Sequence, residues 1–118
     1  MPKESWSLLI ELGKRRGEIT KNYERHLPRI CTAVRDVLGD ADVYLFGSVV
    51  EGRAVALSDI DIIIVAEVGS NMKKAEVVME IEEKAGLPFD NPFEFHLLTS
   101  NEFRRWRKIF KPKIVKIC

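Results

Sequence analysis

Apolar and polar positions alternate along this chain with two distinct periods. From Ile19 through Tyr23, Leu27, Ile30, Val34 and Leu38, apolar residues return every three or four positions, the repeat of one helical face. Pro28 interrupts that stripe, so a kink or a fresh helix start is expected there. Upstream, Ser5–Leu12 reads as helix with Trp6, Leu9, Ile10 and Leu12 available for burial, and Gly13 and Gly17 weaken its continuation. Gly39-Asp40 stops the helical stripe before a short strand, Val43–Phe46. A second strand follows from Ile60 to Val65, where β-branched residues dominate. Gly69-Ser70-Asn71 supplies a turn and a cap for an amphipathic helix through Met72, Ala75, Val78, Met79, Ile81 and Ala85, which Gly86 and Pro88 end. The run Phe93–Leu98 returns to period two, with Phe93, Phe95 and Leu97 on one face and Glu94 and His96 on the other. Thr99 or Ser100 caps a last helix, about Asn101–Phe110, and Ile114, Val115 and Ile117 can add an edge strand.

These elements fit one domain over residues 1–118: amino-terminal helices at 5–38, a core at about 42–98, and a carboxy-terminal helix with a basic tail at 100–118. Composition agrees. The chain is 46% apolar and 31% charged with a net charge of +1, a balance that supports a packed core and argues against long disorder. No apolar run approaches the length needed to span a bilayer, so no membrane association is expected. No signal peptide is visible, which makes the cytoplasm the default compartment. Cys31 and Cys118 lack metal-ligand spacing, and Cys31 is expected as a small buried apolar residue.

The candidate chemistry lies between residues 45 and 98. Asp59 and Asp61 stand two apart at the head of the β-branched run, so their side chains are expected side by side, opposite Ile60, Ile62 and Ile64. Two carboxylates held that close raise each other's pKa unless a cation lies between them. A hard divalent ion, magnesium or manganese, is the natural partner, and magnesium fills its remaining shell with water and substrate phosphate. Taken alone, the pair is equally well read as solvated acids on an edge strand. Gly47 and Ser48 follow an apolar strand, and glycine lets backbone approach a ligand closely. Amides at a helical start together with the Ser48 hydroxyl suit an anion such as phosphate, although a serine-capped turn alone is common. Gly47 and Gly52 match the first half of a Walker A loop. Arg53 and Ala54 then replace the required Lys and Ser/Thr, which excludes that reading. Glu94 is the candidate third carboxylate if its strand neighbours that of Asp61. His96 could contact phosphate or substrate, orient Glu94, or be a satisfied polar side chain.

Gly47-Ser48, then Gly52, then Ser58-Asp59-Ile60-Asp61 resembles the G-S-x-x-x-G…(S/D)-D-x-D signature of the polymerase-beta-type nucleotidyltransferases. The wording Phe46-Gly47-Ser48-Val49-Val50-Glu51-Gly52-Arg53-Ala54 is most similar to the minimal nucleotidyltransferase domains of bacteria and archaea. The resemblance covers about Asp42–Leu98 and implies an α/β (α+β) fold, a small mixed sheet flanked by helices. It implies Mg²⁺- or Mn²⁺-dependent transfer of a nucleoside monophosphate from ATP or another nucleoside triphosphate. Asp59, Asp61 and Glu94 would hold metal and carry catalysis, and Gly47 and Ser48 would hold the triphosphate. Arg53 and Ser58 fit the family pattern and join the nucleotide-binding set; Arg53 is equally readable as a surface arginine, and Ser58 as the cap of the turn entering the metal strand. Many members carry aspartate at the third position, so Glu94 is a mild departure.

The same resemblance offers two acceptors. One is a hydroxyl on a partner protein, notably a tyrosine of a helical HEPN-type toxin, which would make this chain an antitoxin. The other is a small molecule, as in aminoglycoside-modifying relatives, which usually carry an extra helical domain. At this length the protein acceptor is preferred. A catalytically silent module that binds nucleotide or partner is the alternative. A sugar-nucleotide Asp-x-Asp site leaves Gly47-Ser48 unexplained. Residues 104–118 hold seven Lys or Arg and no acid, with Phe103, Trp106 and Phe110 on one helical face. Aromatics among bases can stack on nucleic acid, but this spacing fits core packing better.

Overall fold

The computed structural model describes residues 3–55, 58–69 and 71–118, with side chains from residue 7 onward. Four strands form one mixed sheet in the order β3-β2-β1-β4, with β1 at Asp42–Phe46, β2 at Ile60–Val65, β3 at Phe93–Leu98 and β4 at Ile114–Lys116. β1 runs antiparallel to both β2 and β4, whereas β2 and β3 are parallel. Parallel neighbours need a crossover, and helix α3 (Lys74–Lys84) provides it.

Period-two alternation decides the two faces of the sheet. Val43 and Leu45 of β1, Ile60, Ile62 and Ile64 of β2, and Phe93 and Leu97 of β3 face helices α2 (Leu27–Leu38) and α3. Ile30, Val34, Ile60, Ile62, Ile64 and Ile81 are almost wholly buried there, forming an aliphatic core. On the other face Ile63 and Val65 pack against Phe103 of α4 (Ser100–Phe110), flanked by Tyr44, Phe46, Leu98 and Trp106.

Most expected elements form, with informative differences. α1 runs unbroken from Lys3 to Lys21, through both Gly13 and Gly17. A glycine costs only about 1 kcal/mol against alanine, and long-range ties at Arg16 hold this helix in place. After a 3₁₀ turn at Tyr23–His26, a new helix starts with Pro28 in its first turn, where a missing N–H is harmless. α3 buries Val77 and Ile81, with Ala85 buried just past its end, whereas Met79 is exposed, so the inward face is turned from the expected one. Its start at Lys73 has no side-chain cap, and Ser70 lies outside the described residues. Thr99 caps α4 in a capping box: its hydroxyl accepts from the Glu102 amide, and the Glu102 carboxylate accepts from the Thr99 amide. Phe110 does not join the aromatic face of α4. It is 69% exposed, while Phe103 and Trp106 of the same helix pack on the sheet.

Cys31 is not the free apolar residue expected from its setting in α2: it is joined by a disulfide to Cys118. The bond fastens the tail after β4 to α2, while the Val43 amide donates to the Cys118 carbonyl and the Ile117 amide to that of Val43.

Candidate active site

Strand register assembles the site. Asp61 of β2 stands opposite Glu94 of the parallel β3, and opposite Phe46 of β1. By alternation Asp61, Glu94 and His96 leave the sheet on the α4 side, so the aliphatic core on the other face is undisturbed. One ligand atom from each of these three residues lies within 4.8 Å of the other two. His96 Nε2 is 3.4 Å from Asp61 Oδ1 and 3.8 Å from Glu94 Oε1, separations too long for strong hydrogen bonds and compatible with a cation among them. Exposure rises along the row, from 23% for the Asp61 side chain to 54% for Glu94. The ring of Phe46 meets His96 edge-on at 5.3 Å and Trp106 at 5.1 Å, so an aromatic wall supports the imidazole.

The Gly-Ser turn abuts this cluster. β1 ends at Phe46, and Gly47–Val49 forms a 3₁₀ turn whose glycine has φ +78°, a conformation that L side chains rarely adopt. A Cβ on Gly47 would overlap the Asp61 carboxylate, so the absent side chain is what lets turn and acid meet. The Arg53 amide donates to the Ser48 carbonyl at 2.9 Å, folding the following segment back on the turn.

The remaining expected site residues are placed differently. Asp59 precedes β2 and stands outside the Asp61–Glu94–His96 cluster; its Oδ1 is paired with Arg16 Nη2 of α1. Arg16 Nη1 also donates to the Asn91 carbonyl at 3.2 Å. Arg53 pairs with Glu51 at 2.7 Å and is largely exposed. Ser58 closes a local turn, its hydroxyl accepting from the Val55 amide at 2.9 Å. By its composition the run Lys14-Arg15-Arg16 reads as a solvated helix face. The ion pair of Arg16 spans 43 positions, and no local periodicity signals such a partner.

A family model for the nucleotidyltransferase domain matches residues 27–117. The chain belongs to this family. Among curated proteins none matches it. A crystal structure of a provisionally assigned nucleotidyltransferase is 38% identical, with a TM-score of 0.62, covering 79% of this chain and 98% of its own. A crystal structure of a toxin–antitoxin with AMP-PNP shares the fold at 21% identity and a TM-score of 0.52, over 76% of this chain and 70% of its own. A further provisional nucleotidyltransferase, from Sulfolobus solfataricus, is 23% identical with a TM-score of 0.49, covering 81% of this chain and 78% of its own. The mixed sheet and flanking helices of this nucleotidyltransferase therefore agree with the architecture implied by its motif. Helix α1 lies before the matched residues. No described helix is long and apolar enough to cross a membrane.

The donor set suits a hard divalent ion. Asp61 and Glu94 offer carboxylate oxygens on one face, with the imidazole of His96 beside them and the Gly47 turn against Asp61. The two carboxylates suit magnesium or manganese, whereas the imidazole beside them suits a softer ion such as zinc.

Proposed function

We propose that this chain transfers AMP from ATP to a hydroxyl on a partner protein, in the manner of an antitoxin acting on a HEPN-type toxin. The single observation that carries the reading is the packing of Gly47 directly against Asp61, in register with Glu94. A phosphate-suited turn and a carboxylate pair then share one spot on the sheet. In this reading Asp59, Asp61 and Glu94 would hold Mg²⁺ or Mn²⁺, which supplies charge neutralisation on the triphosphate and lowers the pKa of the acceptor hydroxyl. Gly47 permits close approach of the phosphates, and Ser48 would donate to a phosphate oxygen. Ser58 would shape the turn leading to Asp59, and Arg53 would turn from Glu51 toward the nucleotide. His96, held against Phe46, would keep the Asp61 and Glu94 carboxylates oriented. The hydroxyl would give its proton to a carboxylate of the site as its oxygen bonds the α-phosphorus and the bond to pyrophosphate breaks, a reaction in which positioning and charge stabilisation do most of the work.

The protein acceptor is supported by the toxin–antitoxin relative, whose structure includes AMP-PNP. It is also supported by the exposure of Glu94, which leaves the site open to a large substrate.

The test is transfer of α-labelled ATP with a divalent ion, in wild type and in Asp61→Asn, with and without a HEPN-type toxin as acceptor. Label on that protein, lost in Asp61→Asn by on the order of 10²–10³-fold, is the expected outcome. Tight ATP binding with no label moved to any acceptor would instead favour a silent binding module.

A further inference from the structure

Arg16 joins three parts of the molecule that no family motif connects. It projects from α1, which lies outside the matched residues 27–117. Its Nη2 pairs with Asp59 Oδ1, immediately before β2. Its Nη1 donates to the carbonyl of Asn91 at 3.2 Å and lies 3.5 Å from that of Asp90, in the segment leading to β3. These two segments feed the parallel strands that carry Asp61 and Glu94. One guanidinium thus straddles the approach to both.

We propose that Arg16 is a positioning residue of the metal site, standing in for a cation at Asp59, and that metal loading exchanges Arg16 for the ion. The inference rests on the reading above that Asp59 belongs to the metal-binding set. Three observations carry it. First, Asp61, Glu94 and His96 converge while Asp59 does not, and the group that holds Asp59 is a permanent cation. Second, a guanidinium and a divalent ion repel each other at contact distance, so they compete for one carboxylate oxygen rather than share it. Third, Arg16 has somewhere to go. Asp90, whose carbonyl it already approaches, has a buried carboxylate oxygen, Oδ2, with no hydrogen-bond partner among the described residues. An unsatisfied buried acceptor is costly, and a released guanidinium would satisfy it.

Exchange makes α1 a competitor of the metal. In metal-poor conditions Arg16 closes α1 over Asp59. With metal present, Asp59 joins the cluster and α1 loosens from the strand starts.

The experiment is Mn²⁺ titration followed by electron paramagnetic resonance on wild type, Arg16→Gln, Arg16→Lys, Asp59→Asn and the Arg16→Gln/Asp59→Asn double variant. Arg16→Gln is expected to tighten Mn²⁺ binding by about two- to fivefold, the scale of a partly exposed ion pair. In the Asp59→Asn background the same substitution is expected to give no gain. Arg16→Lys, which keeps the charge, is expected to stay near wild type and guards against a folding defect in the glutamine variant. Amide hydrogen exchange over residues 7–21 is expected to rise on adding Mn²⁺ in wild type and not in Asp59→Asn. Unchanged or weaker Mn²⁺ binding in Arg16→Gln, or an equal gain with and without Asp59, overturns the proposal and leaves Arg16 a structural tie. Failure of the transferase reading shows itself separately, as Mn²⁺ binding and exchange without any transfer of label.

Discussion

The two faces of the sheet are built to different ends. On the α2–α3 face, Ile60, Ile62 and Ile64 interdigitate with Ile30, Val34 and Ile81, and the side chains are aliphatic and closed to water. On the α4 face the same strands bury only Ile63 and Val65 under Phe103, then pass through half-buried aromatics to Asp61, Glu94 and His96. Polar groups that would be ruinous in the first layer are tolerated in the second because solvent or ligand can reach them. A single strand, β2, serves both purposes by alternation: its even-numbered residues hold the fold together and its first odd-numbered residue, Asp61, enters the candidate site. Stability and chemistry are therefore separable by substitution on adjacent residues.

The sharpest way to break this division is Ile62→Ala. The side chain is fully buried, so a cavity opens in the aliphatic layer and unfolding free energy is expected to fall by about 2–5 kcal/mol in urea titration. ATP affinity per folded molecule should remain at the wild-type value; a parallel loss of affinity would mean that the layers are coupled. Trp106→Ala probes the opposite face. It removes the ring that backs Phe46, and through it His96, so turnover is expected to fall by about tenfold, the scale of an outer-shell contact. Its stability cost should stay below that of Ile62→Ala, because Trp106 is only half buried. The smallest effect is expected at Thr99. Thr99→Ala removes the cap of α4 and should cost about 1 kcal/mol. The Thr99 backbone and side chain hold the Glu102 carboxyl below the usual glutamate range. Its folded pKa is thus lower than its unfolded one, so the box stabilises α4 above the ordinary glutamate pKa and fades as pH falls through the lowered value. Thermal melts across that acid window should show a shallower decline in Thr99→Ala than in wild type.

The sequence made the strands of the site readable because their signal is local. Alternation in Phe93–Leu98 assigns Glu94 and His96 to one side, and the β-branched run after Asp59 can hardly be anything but a strand. Parallel pairing of β2 with β3 then completes the Asp61–Glu94 neighbourhood. What remained hidden depends on partners far along the chain. A helical stripe shows that α3 is amphipathic, but α2 and the sheet choose between Val77 and Met79. Spacing says nothing of a bond between Cys31 and Cys118, 87 positions apart. Nor does a basic run on a helix reveal which of its members will reach an aspartate. Asp59 shows the limit most plainly: its two-residue offset from Asp61 predicts a shared direction, and nothing in that offset reveals that Arg16 will pair with its carboxylate.

The disulfide has a topological consequence. Cys31 and Cys118 close a covalent ring that contains every strand, the Gly-Ser turn and all three members of the Asp61–Glu94–His96 cluster, while α1 hangs outside it. A protease nick anywhere within the ring leaves two fragments that migrate as one species until a reductant is added. A nick between α1 and Cys31 leaves α1 held by non-covalent contacts alone, so that it can dissociate together with the guanidinium that now rests on Asp59. Peptide-bond cleavage thus has two unlike outcomes in this small protein, a silent one inside the ring and a shedding one outside it.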